Sequence, residues 1–400
     1  MPVKGIIGAV IGDIAGSSHE FGNVSSLKFK LFNAQGTFTD DSVLTVAVAD
    51  SLLSGESPGF SDALLKWGRE YPHAGYGRGF KAFLKSGEPW TPGSSHNGSA
   101  MRVSPVGFLA RSLDECLENA RLSALPSHNT PGAIAGAQAL AAAVYLARTG
   151  STKDEIRSYI EKTFGFDLGR TYEQTRADVQ CALALREADH DRAHERLLSA
   201  ETTVPDALAA FFAADDYEGA VRLAVFLGGD ADTYGAMAGA VAAAYWGVPE
   251  ELVKQALVYI PDDMLDVINR CDGTSWQCPH VTPPNTRRWR RNDIVVYGMN
   301  ADDSEGEQGF YDVRPTRFNR HVNAGHGIVT IGASLERIAG QLEALLREVE
   351  THPENRYLIR EMGVSKAGYT VSQIAPLFSG LSGKKNVYLP ELFIAGQRNR

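Results

Sequence analysis

Two short acidic runs hold the residues best suited to chemistry. The first is Thr39-Asp40-Asp41-Ser42 and the second is Gly228-Gly229-Asp230-Ala231-Asp232-Thr233. Carboxylates with neighbouring hydroxyls make two compact sets of hard oxygen donors, the ligation that Mg²⁺ and Mn²⁺ prefer. Adjacent carboxylates repel one another, and a cation bound between them removes that cost. If the fold brings the two runs together, the expected chemistry is that of a two-metal enzyme. Each run also has a plainer reading. An apolar, small-residue helix follows each of them, and Asp, Ser or Thr at that point can serve only as a helix cap.

The elements that must position these runs are helices. Small and apolar residues recur at three- and four-residue spacing over 41–53, 132–147, 207–212 and 235–245, so residues 1–272 are predicted to be almost entirely helical. Their glycines and alanines predict close contact between helices. Residues 273–292 change character, with prolines, turn residues and the run Arg287-Arg288-Trp289-Arg290-Arg291. They read as a linker, although the arginines also suit a phosphate or nucleic-acid contact. Beyond them, short strands are predicted at 293–298, 327–331, 357–360 and 386–390. An amphipathic helix is expected over 334–349, with Ser334 as its N-cap. The expected architecture is an all-α domain over 1–272, a linker over 273–292 and a small α/β domain over 293–400.

Bulk properties narrow the function classes. The chain has 400 residues, enough for two domains, with 44% hydrophobic and 22% charged residues, as in soluble globular proteins. A formal net charge of -9 argues against broad attraction to nucleic acid, while leaving a local contact open. The spacing of Cys116, Cys181, Cys271 and Cys278 fits neither a zinc site nor a disulfide framework, so a reducing cytoplasm is the expected setting. The apolar start is interrupted by Lys4, several glycines and Asp13, unlike a signal peptide. The alanine-rich stretch 133–147 reads as a buried helix, and no membrane anchor is expected.

Four blocks, in order, carry a resemblance. They are Gly8-Ala9-Val10-Ile11-Gly12-Asp13-Ile14-Ala15-Gly16 with Glu20 and Phe21 after it, Thr39-Asp40-Asp41-Ser42, Asn97-Gly98-Ser99-Ala100-Met101-Arg102, and Gly229-Asp230-Ala231-Asp232-Thr233. Over residues 5 to 250 the chain resembles the ADP-ribosylglycohydrolase family, which includes dinitrogenase reductase-activating glycohydrolases and ADP-ribosylarginine hydrolases. The resemblance implies an all-α fold holding two Mg²⁺ ions, or Mn²⁺, with Thr39, Asp40, Asp41, Asp230, Asp232 and Thr233 as ligands. It implies hydrolysis of the glycosidic bond between ADP-ribose and a modified acceptor, with ADP-ribose as product. Asp40, Asp41 and Glu20 are the implied catalytic carboxylates, and which aspartate is the base stays open.

The same resemblance implies substrate contacts from Gly77 and Arg78, from Ser94, Ser95, Asn97 and Gly98, and from His128. Plainer roles stand beside these: a surface arginine, a polar loop and a structural histidine. Asp13 has a structural hydrogen-bonding role or a catalytic one. Two residues depart from the family pattern. Ser42 stands where threonine is usual, and Tyr234 stands where a smaller or polar residue is usual. Tyr234 is expected to narrow the acceptor side or to stack on adenine. The acceptor is an ADP-ribosylated protein or another modified group, nucleic acid included. The alternative is a non-catalytic ADP-ribose-binding or structural protein on the same fold. The C-terminal stretch is similar to a small α/β domain of bacteria and phages whose first strand usually precedes a glycine-rich loop. Here that loop is acidic, Ala301-Asp302-Asp303-Ser304-Glu305-Gly306-Glu307, which disfavours phosphate there and leaves acceptor recognition or dimerisation.

Overall fold

Side-chain caps start many of the helices. Thr39 accepts the Asp41 N–H, and Thr130 accepts from Ala133 with Pro131 at the first helical position. Thr152 and Thr171 complete capping boxes with Glu155 and Gln174. The computed structural model describes all residues except 1, 23, 56–58, 90–92, 285–289, 291, 301–309, 312–323, 365–366 and 399–400. The arginine run (apart from Arg290) and the acidic loop 301–307 therefore lie outside the described residues.

Two compact units divide the chain, one built on Met1–Gln277 and the other on Cys278–Pro283 with Trp289–Arg400. The first is helical, as its spacing predicts. Its early helices are α1 (Ile7–Ser17), α2 (Asp40–Leu53), α3 (Phe60–Glu70), α4 (Arg78–Ser86), α5 (Ser104–Leu109), α6 (Leu113–Ala124) and α7 (Pro131–Arg148). Then follow α8 (Lys153–Phe164), α9 (Tyr172–Leu185), α10 (His190–Leu198), α11 (Ala200–Ala213) and α12 (Tyr217–Leu227). The last are α13 (Ala231–Trp246), α14 (Glu250–Ala256) and α15 (Asp262–Asp272).

At the centre, α13 is buried all round from Ala231 to Ala244, and α1 from Ile7 to Gly16. A helix with no polar face must lie inside a core. These two cross at backbone contact. A methyl group on Gly12 would fall 1.9 Å from the Gly235 carbonyl oxygen, and one on Gly8 would fall 2.3 Å from the Ala243 methyl. One on Gly16 would fall 2.2 Å from the Ala231 carbonyl. Only glycine at these four-residue intervals lets the two backbones approach so closely, and that approach sets Asp13 beside the start of α13.

The second unit carries a five-stranded sheet. Its strands are β1 (Asp293–Asn300), β2 (Phe310–Tyr311), β3 (Ala324–Ile331), β4 (Arg356–Ile359) and β5 (Val387–Tyr388), in the order β2-β3-β1-β4-β5. All neighbours are parallel except β2 and β3. Helix α16 (Leu335–Thr351) packs Ile338, Leu342, Leu345 and Val349 against Ile294, Val296, Ile328 and Ile359. Parallel strands buried this way read as continuous apolar runs, which is how Ile294-Val295-Val296 stands out in the sequence. Asp293 and Arg356 form a buried pair across β1 and β4, with Nε donating at 2.6 Å.

Candidate active site

Asp13 is buried on α1 among apolar side chains. Its Oδ2 accepts from the Thr39 N–H at 2.8 Å, the Ser42 N–H at 3.1 Å and the Ser42 hydroxyl. Backbone N–H groups at a helix start have no partner within the helix, so this carboxylate satisfies them and ties α2 to α1. The second acidic run is set by its glycines. Gly228 and Gly229 hold φ of 81° and 67°, a region that side chains with a Cβ avoid, and Asp230 then stands as the N-cap of α13.

The two runs meet. Thr233 Oγ1 donates to Asp41 Oδ2 at 3.3 Å, and Thr39 Oγ1 donates to the same oxygen at 3.1 Å. Oxygens of Asp13, Asp41 and Asp232 lie within 4.8 Å of one another, as do oxygens of Glu20, Asp230 and Asp232. Asp232 is thus shared by two triads. Asn97, on a short 3₁₀ turn, donates from Nδ2 to Asp230 at 2.7 Å. Asp40 is half-buried at the start of α2 and stands outside both triads.

Crowding gives these groups unusual acidity. Burial, and then the charges of Asp232, Asp13, Asp40 and Asp230, push Asp41 well above the usual carboxylate range. Burial and Asp232 do the same to Asp230, partly offset by the Asn97 donor. Asp41 Oδ1 is enclosed and has no hydrogen-bond partner. An orphaned carboxylate oxygen in a buried acidic cluster is costly, and a hard cation relieves both the desolvation and the repulsion. The donor set therefore fits divalent cations of the Mg²⁺ class.

The remaining predicted residues divide into two groups. Ser94, Ser95, Asn97 and Gly98 form one loop, anchored by Ser94 N–H to the Ser127 carbonyl and by Ala200 N–H to the Ser95 carbonyl, each 3.0 Å. His128 lies beneath it, where a methyl on Gly98 would fall 2.8 Å from Nε2. Burial and the nearby Arg102 charge hold His128 well below its usual pKa, so it is a neutral support that shares a hydrogen bond with the Ser127 hydroxyl. Gly77 and Arg78 are exposed around the first turn of α4, and among the described residues Arg78 makes no ion pair or side-chain hydrogen bond. Tyr234 is fully buried, and its hydroxyl donates to Asp206. Asp13, for which the sequence left a structural or a catalytic role open, joins a carboxylate triad and also accepts hydrogen bonds from the start of α2. One participant escaped sequence reading. Arg102 is wholly buried, bonding the Ser123 carbonyl and the Ser127 hydroxyl from Nη2, and had no signal in the sequence.

With this geometry in view, comparison with known proteins decides the lineage. The model of the family described as ADP-ribosylglycohydrolase matches residues 3–277. The chain belongs to the ADP-ribosylglycohydrolase family. Among its relatives, ADP-ribosylhydrolase ARH3 of Homo sapiens is 28% identical over 333 residues, covering 65% of this chain and 90% of the relative. ADP-ribosylarginine hydrolase Tri1 of Pseudomonas putida is 26% identical over 285 residues, covering 62% and 72%. Protein YegU of Escherichia coli is 31% identical over 269 residues, covering 59% and 77%. Family membership makes this chain a glycohydrolase of ADP-ribose linkages. Among the described residues no helix is long and apolar enough to cross a membrane.

Proposed function

We propose that the protein is an ADP-ribosylhydrolase that uses two Mg²⁺ ions to release ADP-ribose from a modified acceptor. The observation that carries this reading is the meeting of Asp41 and Asp232, from runs far apart in sequence, around an enclosed oxygen with no donor. Thr39, Asp40, Asp41, Asp230, Asp232 and Thr233 would hold the ions. When bound, they would neutralise the carboxylates, orient the two adjacent ribose hydroxyls and acidify water near the anomeric carbon.

The chain's own groups do the rest. Thr39 and Thr233 fix Asp41 by donating to one of its oxygens, leaving the other available. Asn97 holds one Asp230 oxygen with its Nδ2 donor. Glycosidic cleavage builds oxocarbenium-like positive charge on the sugar, and carboxylates close to it stabilise that charge. Glu20 is exposed at the edge of its triad, where it can accept a proton from the attacking water, with Asp40 and Asp41 as the other candidate carboxylates. The loop of Ser94, Ser95 and Gly98 offers small residues and backbone N–H groups of the kind that approach a diphosphate closely.

The acceptor class in this proposal is an ADP-ribosylated protein or another ADP-ribosylated group, nucleic acid included. The direct experiment supplies arginine-linked, serine-linked and nucleic-acid-linked ADP-ribose and measures free ADP-ribose. Release from at least one, lost in EDTA and restored by Mg²⁺, is expected. Tight ADP-ribose binding without release from any of them would make the protein a reader instead of a hydrolase.

A further inference from the structure

Tyr234 sits on the first turn of α13, one residue after Thr233 and two after Asp232. Its hydroxyl donates to Asp206 Oδ2 at 3.2 Å. Asp206, on α11, is itself fully buried and receives Arg196 Nη1 at 2.6 Å and Arg170 Nη2 at 3.0 Å. Two arginines, one carboxylate and one phenol thus make a polar knot behind the acidic cluster. Three helices meet in it: α10 through Arg196, α11 through Asp206 and α13 through Tyr234.

The knot reaches the turn that carries the second acidic run. A methyl on Gly229 would fall 3.4 Å from Tyr234 Cε2 and 3.1 Å from Leu197 Cδ2, so the turn is packed between the tyrosine ring and the end of α10. The junction of α10 and α11 also holds the loop bearing Asn97, since Ala200 N–H donates to the Ser95 carbonyl. The brace therefore touches the glycine turn before Asp230 and shares α10 and α11 with the junction that holds the asparagine loop bonded to it. Such a brace has a physical purpose. The paired glycines are the most permissive backbone in the cluster, and repulsion among the buried carboxylates pushes that turn outward. A tyrosine packed against that turn and anchored to a buried carboxylate opposes the push.

We propose that Tyr234 and Asp206 are positioning residues that hold the first turn of α13, and with it Asp230, Asp232 and Thr233, in the arrangement that receives divalent cations. This rests on the metal reading given under Proposed function. Neither residue contacts the ion sites directly. Supporting groups of this kind typically change metal affinity by about tenfold or more when removed.

The test measures Mn²⁺ binding to the full chain, following free Mn²⁺ by electron paramagnetic resonance, for wild type, Tyr234→Phe, Asp206→Asn and the double variant. Melting temperatures are taken alongside without metal. Each single change is expected to weaken Mn²⁺ about tenfold, and the double variant to be no weaker than the weaker single one, since both act by one route. If Asp206→Asn does not fold, Tyr234→Phe, which removes a single oxygen, decides alone. Wild-type Mn²⁺ affinity in a variant that merely melts earlier would overturn the proposal and leave the metal reading intact. Absence of Mn²⁺ binding to wild type would overturn both.

Discussion

Asp41 carries the tension of the site. It is buried, surrounded by other carboxylates and left with one oxygen lacking a donor. Such a residue is kept for function at a cost in stability. Asp41→Asn keeps an acceptor for Thr39 and Thr233 while removing one charge from the cluster. The metal-free variant is expected to melt a few degrees above wild type, with on the order of 1 kcal/mol gained for each like-charge contact relieved. Hydrolysis by the same variant is expected to fall at least about a hundredfold. Thermal melts in EDTA and an ADP-ribose release assay check the two halves, and a lower melting temperature in EDTA would show that crowding does not strain this site. Thr39–Ser42 and Gly229–Thr233 were legible in the sequence because hydroxyls and carboxylates crowd a helix start there. The bond from Tyr234 to Asp206 was not legible, because a sequence shows which residue follows Thr233 but not which way its ring points. Arg102 and Asp206 were invisible because their importance comes from burial, and burial of a charged residue is set by partners remote in the chain.

At the scale of elements, the crossing of α1 and α13 decides whether the two acidic runs can meet. Glycines at four-residue spacing on both helices were legible as a demand for close packing. Which helix pairs with which was not, because many stretches of this unit are rich in glycine and alanine. The contact at Gly12 has no slack, since the neighbouring atom is a backbone carbonyl that cannot turn aside. Gly12→Ala is therefore expected to destabilise the chain by about 3 kcal/mol and to loosen Asp13 from Thr39 and Ser42. Urea denaturation of the two proteins measures the difference, and equal midpoints would mean the helices can part without loss. The strands of the second unit were legible for the opposite reason. Short apolar β-branched runs such as Ile294-Val295-Val296 stand apart from the helical spacing before them. The pairing order could not be read, because several short apolar strands fit a parallel sheet equally well.

At the scale of the whole molecule, the end of the helical unit is tied to its beginning. Asp272, closing α15, accepts the Ile6 and Ile7 N–H groups at 2.8 and 3.1 Å and so caps α1 from the far end of the unit. Burial pushes its carboxyl up to about 7, against the pull of those two donors. The folded chain then binds this proton more tightly than the unfolded chain does. The stabilisation is complete below about pH 4 and is lost as pH rises through about 7. Asp272→Asn removes that dependence. Wild type is expected to lose up to about 4 kcal/mol relative to the variant between about pH 4 and pH 8, measured by urea midpoints. A constant difference across that range would show that the carboxylate stays ionised throughout. This contact was not legible in advance, since an aspartate before glycine at a helix end resembles many surface residues.

The meeting of the two acidic runs around shared cations underlies the catalytic reading, and anomalous scattering from crystals soaked in Mn²⁺ tests it most directly. Two anomalous peaks are expected among the carboxylates of Asp41, Asp230 and Asp232, within coordination distance of the Thr39 and Thr233 hydroxyls. Peaks confined to the surface, or an empty map at this cluster under saturating Mn²⁺, would contradict the account.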